Sequence, residues 1–177
     1  MSLPTTFATE RLLLRPTALE DADFILALMN TPGWLKYIGD RDVRTLAAAR
    51  DYIRIKMLSQ QERLGYGNFT VVRAADGARL GTCGLYDREA LEGVDIGFAF
   101  LPEYTGQGYA YEAARQVMTA GVEDYGLRHI VGITTPDNKP SQRLLGKLGL
   151  QYTQEVELPD DPVTLWLYEW RADKQAT

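Results

Sequence analysis

Between Val94 and Tyr125 the hydrophobic period changes once, and it does so across a turn that holds two glycines. Val94, Ile96, Phe98 and Phe100 alternate with Asp95, Gly97 and Ala99, the period-two pattern of a strand with unlike faces, and Pro102 breaks the run. Thr105-Gly106-Gln107-Gly108-Tyr109-Ala110 follows. From about Gly108 to Tyr125, residues Ala110, Ala113, Ala114, Val117 and Gly121 then fall on one helical stripe, with Gly126 as the expected C-terminal cap. So small-residued a stripe lets a helix lie close on a sheet. Any fold for this chain must contain a strand, a glycine turn and a helix packed back over that strand's sheet.

The other segments supply the rest of the sheet and its cover. Arg11 to Arg15 reads as a strand stopped by Pro16, and Thr17-Ala18-Leu19-Glu20 has the spacing of a capping box. Ala22, Ile25, Leu28 and Met29 recur at helical spacing until Pro32-Gly33, where the helix is expected to end. Thr45 is the expected cap of a second helix with Leu46, Ala49, Ile53 and Met57 on one stripe and Gly65 at its end. Phe69-Thr70-Val71-Val72 and Arg79 to Tyr86, joined through Asp76-Gly77, form a hairpin. Beyond the glycine turn and its helix come a strand His129 to Thr134, a helix Pro140 to Leu148 closed by Gly149, and strands Gln151 to Glu157 and Val163 to Trp170. The order β-α-α-β-β-β-α-β-α-β-β predicts an α+β fold, a mixed and mainly antiparallel sheet with one strand-helix-strand crossover.

Composition narrows the function classes. At 177 residues and 45% hydrophobic, residues 1–177 fit one domain. A formal net charge of -5 argues against a nucleic-acid backbone as the main partner, which usually calls for a clustered basic excess. With Cys83 and His129 the sole cysteine and histidine, neither an intrachain disulfide nor a Cys/His zinc site can be assembled, so no metal is expected and a reducing cytoplasm fits best. Met1 to Glu10 lacks a signal-peptide pattern, and no apolar run nears the roughly 18 residues of a membrane span.

The glycine turn has a chemistry of its own. Unpaired N–H groups in a first helical turn and the positive end of the helix dipole favour an anion, and a polyphosphate fits there. Gly106 and Gly108 permit backbone angles and an approach that a Cβ obstructs, and Ala110 lets the helix start lie on the sheet. A tight connection with no ligand explains the same letters. A Walker loop fails for want of Gly-Lys-Ser/Thr, and a dinucleotide fingerprint beginning at Gly106 fails because Tyr111 stands where its third glycine belongs.

The stretch Gly97 to Ala113 resembles the strand-turn-helix of the GNAT acetyltransferases, whose turn reads Arg/Gln-x-x-Gly-x-Gly/Ala. Thr9-Glu10-Arg11-Leu12-Leu13-Leu14-Arg15-Pro16 with Glu20-Asp21-Ala22, and Asp137-Asn138-Lys139-Pro140-Ser141 leading to Lys147-Leu148-Gly149-Leu150, are similar to the branch containing the ribosomal-protein alanine and serine N-acetyltransferases. Thr105 departs from the pattern, which leaves the backbone contacts but removes a family side chain.

The resemblance implies acetyl-CoA as cosubstrate, an amine acceptor and a possible homodimer. The pantetheine arm would lie along Phe98, Ala99 and Phe100, and the pyrophosphate on the N–H groups of Gly106, Gln107, Gly108, Tyr109, Ala110 and Tyr111. Asn138 would bind the far side of the arm, cap its helix, or do both. Phe98 N–H is the implied oxyanion donor. Leu145 stands where many members carry a tyrosine acid, and Ser141 matches the residue that hydrogen-bonds the thiol in the ribosomal-protein branch, or is an ordinary first-turn serine. Asp95 is the first candidate for the base, against a solvated strand residue. Glu112 reads as first-turn charge or packing, and His129 and Cys83 read as structural. Trp34, Tyr37, Tyr86, Trp166 and Tyr168 are candidates to line an acceptor cleft or to be core. The leading acceptor is a protein or peptide α-amine, followed by a small amine such as an antibiotic or polyamine. A non-catalytic acyl-CoA sensor is the rival.

Overall fold

A computed structural model describes residues 5–159 and 161–173. Its strands, among the described residues, are β1 (Phe7–Ala8), β2 (Leu12–Pro16), β3 (Asn68–Arg73), β4 (Arg79–Asp87), β5 (Val94–Phe100), β6 (His129–Thr134), β7 (Gln151–Leu158) and β8 (Asp161–Arg171). They form one sheet in the order β1-β2-β3-β4-β5-β6-β8-β7. The β5 to β6 pairing is parallel and the others are antiparallel, which makes the sheet mixed and mainly antiparallel, as expected for an α+β fold. The helices are α1 (Ala22–Met29), α2 (Pro32–Tyr37), α3 (Leu46–Tyr52), α4 (Ser59–Leu64), α5 (Tyr109–Glu123) and α6 (Lys139–Lys147).

Two apolar layers hold the helices to opposite faces. Ile96, Leu85, Cys83, Phe69 and Leu12 pack with Ala113, Ala114 and Val117 of α5 and with Leu145 of α6. On the other face Ala99 and Leu101 pack against a cluster of Ile25, Leu28, Ala49 and Ile53. The period-two reading of β5 survives, since Val94, Ile96, Phe98 and Phe100 adjoin the first layer. Burial of each large aliphatic side chain contributes roughly 1.5–3 kcal/mol before conformational entropy is set against it. No helix among the described residues is long and apolar enough to cross a membrane.

Four local expectations change. Phe7 and Ala8 add a short edge strand. The box near Thr17 shifts by one residue: Ala18 N–H donates to Asp21 Oδ2 at 3.0 Å, whereas Thr17 is buried and hydrogen-bonds Thr70. The helix from Ala22 does stop before Pro32, at Met29, but Pro32 also opens α2, because Thr31 Oγ1 accepts from Trp34 N–H at 3.3 Å and a proline loses nothing at a first helical position. The second predicted helix is interrupted by a π-helical stretch, Ile53–Leu58, between α3 and α4. Leu46, placed on its buried stripe by the sequence, is 44% exposed.

Candidate functional site

The glycine turn presents backbone, not side chains. Gly106 and Gly108 have φ of 73° and 81°, the left-handed region that a Cβ disfavours. Gly108 is the N-terminal cap of α5, and no side chain caps that helix, so its first-turn N–H groups are left to an external acceptor. Gln107 turns away: its Nε2 donates to Glu103 O at 3.0 Å. Thr105 Oγ1 donates to Pro102 O at 2.8 Å, closing the departure noted at that position onto the preceding turn.

A residue from the opposite end of the chain fixes this turn from behind. Arg11 Nε donates to Glu112 Oε1 at 2.8 Å, Arg11 Nη1 donates to Gln107 O at 3.0 Å, and the guanidinium lies 4.3 Å from the Tyr109 ring centroid. Thr9 Oγ1 and Arg11 N–H both donate to Glu112 Oε2, at 2.6 and 3.0 Å. Burial would raise the Glu112 carboxyl, but the hydrogen bonds from Thr9 and Arg11 outweigh it and hold it below the usual range. Glu112 thus anchors α5 to the turn between β1 and β2. Its charge was legible in the sequence, its partner was not.

Beside the turn the sheet opens. Strands β5 and β6 pair only at Val94 with Ile130 and Asp95 with Val131, while β6 stays paired with β8 as far as Thr134. Leu101 N–H donates to Leu80 O at 2.9 Å, toward β4. Since strand N–H groups alternate in direction, those of Phe98 and Phe100 point to the other edge, into the wedge where β5 and β6 have parted. A cleft of about 1020 Å³ runs through this wedge. Phe98, Ala99, Phe100, Gly106, Gly108, Tyr109, Ala110 and Tyr111 line it from β5 and the turn, and Asn138 and Ser141 from α6. Gln107 is not among the lining residues. Asn138 Oδ1 accepts from Ser141 N–H at 3.3 Å, so Asn138 is the helix cap, and the Ser141 hydroxyl is not used for capping.

The far end of the cleft is built on the helix-facing side of β4 and β5. Asp95 is 2% exposed, which overturns its reading as a solvated strand residue. Arg88 Nε donates to Asp95 Oδ2 at 2.6 Å, and Asp95 Oδ1 is buried without a hydrogen-bond partner among the described residues. Burial pushes the Asp95 carboxyl up to about 6, although Arg88 works in the opposite sense. Tyr86, cross-strand from Asp95, donates its hydroxyl to Asn68 Oδ1, and burial pushes that phenol well above its ordinary value. Trp34 and Tyr37 also line this end, as does Tyr52, which the sequence did not single out. Trp166 and Tyr168 do not. They group with Tyr152 on the β7–β8 hairpin, whose contribution to the cleft comes from Leu158, Asp161, Val163 and Leu165. Cys83 is buried, and its thiol is pushed far up by burial, as a core residue should be. His129 Nε2 lies 3.2 Å from Glu169 Oε2, outside the cleft.

The family profile described as "Acetyltransferase (GNAT) domain" matches residues 11–151. A relative from Bacillus licheniformis named "Uncharacterized N-acetyltransferase p20" is 31% identical over 148 residues, 82% of this chain and 82% of its own. Among solved structures, the ribosomal-protein-S5-alanine acetyltransferase from Vibrio fischeri superimposes with a TM-score of 0.80 at 18% identity, covering 98% of this chain and 100% of the other. A ribosomal L7/L12 alpha-N-protein acetyltransferase in complex with coenzyme A gives 0.79 at 16% identity, covering 98% and 99%. At such identities these two likenesses concern the fold.

Proposed function

The chain belongs to the GNAT acetyltransferase family and is an acetyltransferase, and from that premise we propose that it moves an acetyl group from acetyl-CoA to the α-amine of a protein or peptide in the wedge between β5 and β6. The observation that carries the reading is the coincidence of two features in one cleft: a strand edge with free N–H groups and an uncapped helix start beyond it. A pantetheine arm has amides that can pair with the Phe98 and Phe100 edge, and its pyrophosphate suits the N–H groups of Gly106 to Tyr111. The bound thioester supplies an activated acetyl carbon and a fairly good leaving thiol.

The chain's own residues supply the rest. The accepting nitrogen forms a bond to the acetyl carbon, the carbon–sulfur bond breaks, the nitrogen gives up one proton to the base, and the departing thiolate takes one from water. Phe98 N–H lies on the wedge edge, where it stabilises charge developing on the acetyl oxygen. Asp95, ionised above about pH 6, takes up the amine proton. Three residues of strand separate it from Phe98, roughly 10 Å, so the proton crosses by water. A free α-amine with a pKa of about 8 is already neutral in part near pH 7, and the base has modest work to do. Ser141 hydrogen-bonds the departing sulfur, in place of the tyrosine that Leu145 excludes. A cytoplasmic setting and a homodimer are part of the same proposal.

A mass-shift screen of peptides, polyamines and aminoglycosides with acetyl-CoA tests the proposal. Gain of one acetyl group on peptide N-termini supports it, whereas acetylation confined to polyamines or antibiotics replaces the acceptor class. Coenzyme binding with no acetylated product of any kind contradicts turnover itself.

A further inference from the structure

At the acceptor end of the cleft, two groups are left with bonding capacity that no described residue uses. Asp95 Oδ1 is one: it is buried and no described residue donates to it. The other is Arg88. Its one hydrogen bond to a described residue runs from Nε to Asp95 Oδ2 at 2.6 Å, which leaves both Nη groups of a half-buried guanidinium unpaired. Arginine usually meets a carboxylate with two donors at once, so a single-point grip through Nε keeps the terminal fork for something else. Both residues line the cleft, at the point where β5 and β6 part.

A buried acceptor beside an unpaired donor pair is a complementary match for a molecule that carries a donor and an acceptor close together. An α-amine with its neighbouring carbonyl is such a pair, two bonds apart. A polyamine or a simple alkylamine offers donors only and would leave the Arg88 fork desolvated and unpaired. Leaving a charged donor unsatisfied is costly, and sites built around such a group discriminate strongly against analogues that lack its partner.

We propose that Arg88 is a specificity-determining residue whose Nη groups bind the carbonyl or carboxylate oxygen next to the accepting amine, with Asp95 serving the amine through water. The inference rests on the acetyl-transfer reading of this cleft and adds to it what recognises the acceptor, the carbonyl oxygen next to its α-amine. Two sources share that chemistry, a peptide N-terminus and a free amino acid. Asp95 from β5 holds Arg88, Tyr86 from β4 and Tyr52 from α3 also act on it, and the neighbouring Asp87 carboxylate is engaged by Arg63.

The test compares alaninamide, an alanine-initiated tripeptide amide, free alanine and isopropylamine, which keeps the alanine skeleton without its carbonyl. Rates are expressed per neutral amine, with acetyl-CoA saturating and thiol release as readout. The expected kcat/KM for alaninamide or the tripeptide exceeds that for isopropylamine by about 100-fold or more, within the range for sites that bind a substrate polar group. Arg88→Lys keeps a cation beside Asp95 but removes the fork. It should lower that ratio at least tenfold, mainly through KM for the carbonyl-bearing acceptors, while coenzyme affinity stays within about twofold. The relative rates of alanine and tripeptide then assign the source, and a preference for either is consistent with carbonyl recognition. A wild-type ratio near one overturns the inference while leaving acetyl transfer intact, and it does so even if Arg88→Lys fails to fold. An unchanged ratio in a folded, active Arg88→Lys also overturns it. Thiol release with none of the amines overturns the underlying reading as well.

Discussion

Arg11 and Glu112 clasp the back of the glycine turn, with Arg11 Nε on Glu112 Oε1 at 2.8 Å and Arg11 Nη1 reaching the Gln107 carbonyl at 3.0 Å. The turn between β1 and β2 therefore sets the conformation of the turn that is proposed to hold pyrophosphate. Preorganised backbone donors bind without first being ordered, and that advantage is what the clasp supplies.

Arg11→Met should accordingly weaken coenzyme A binding about tenfold, and Glu112→Gln less than that, while turnover at saturating coenzyme stays within about twofold. Calorimetry on the two single variants and the double variant checks this. Because both residues act through one clasp, the double variant should bind no more weakly than about the worse single variant. Full additivity would mean that the two side chains act separately.

A bulkier intrusion at the same turn should do more. Gly108 has φ of 81°, and a Cβ there would sit 3.3 Å from Arg11 Nη2. Gly108→Glu places strain, bulk and negative charge against the first turn of α5, so coenzyme binding should be lost with the rest of the fold retained. The check is circular dichroism alongside calorimetry. A folded variant that binds coenzyme normally would move the phosphates elsewhere.

How far the letters carried the account varies with the range of the interaction. Period and turn chemistry located β5, the glycine turn and α5, because those signals are local. Asn138 capping α6 was likewise readable, being decided within four residues of chain. What failed depended on distant packing. Pro32 is an exception, since Thr31-Pro32 is a local start signature that reading Pro32 as an end overlooks. The π-helical stretch at Ile53–Leu58 has no marker of its own, and Leu46 is exposed in the first turn of α3 while Ala49, Ile53 and Met57 of its stripe stay buried. In the site, Asp95 was legible as a strand carboxyl but its burial was not, since that depends on Arg88 and on the cross-strand Tyr86 of β4 beside it. The roles given to Arg11 and Arg88 rest on partners elsewhere in space, and in the case of Arg11 on one 101 residues away.

The pH profile should show the Asp95 environment. Burial raises this carboxyl to about 6, against Arg88, with Tyr86 also beside it. The base form is needed for transfer, so the logarithm of kcat/KM should rise with slope near two below pH 6, where base and amine both titrate, and near one from there to about pH 8, where the amine alone does. Asp95→Asn should lower activity about 100-fold and leave a slope of one throughout. The stability sign is opposite to that of a paired surface carboxylate. With the folded value above the unfolded one, the group's contribution is complete below about pH 4 and is lost as pH rises through about 6. Thermal melts of Asp95→Asn should therefore gain on wild type between pH 4 and pH 7. A wild-type profile with no break near pH 6 would remove Asp95 as the base.

Ser141→Ala separates chemistry from scaffolding. The Ser141 hydroxyl plays no part in capping α6, a role taken by Asn138, so its loss should leave the melting temperature nearly unchanged and reduce turnover tenfold to a hundredfold. Asn138→Ala should instead cost about 1 kcal/mol of stability. Unchanged turnover in Ser141→Ala would take the hydroxyl out of the mechanism.

The central claim is that acetyl-CoA lies in the β5–β6 wedge with its phosphates on the turn, and amide hydrogen exchange with and without coenzyme A tests it residue by residue. The account predicts that saturating coenzyme slows exchange at Phe98 and Phe100, whose N–H groups face the wedge, and at the first-turn amides Tyr109 to Tyr111, while Leu101, already bonded to Leu80 O, changes little. Protection that spares Phe98, Phe100 and the turn, or that falls on another face of the sheet, would contradict it.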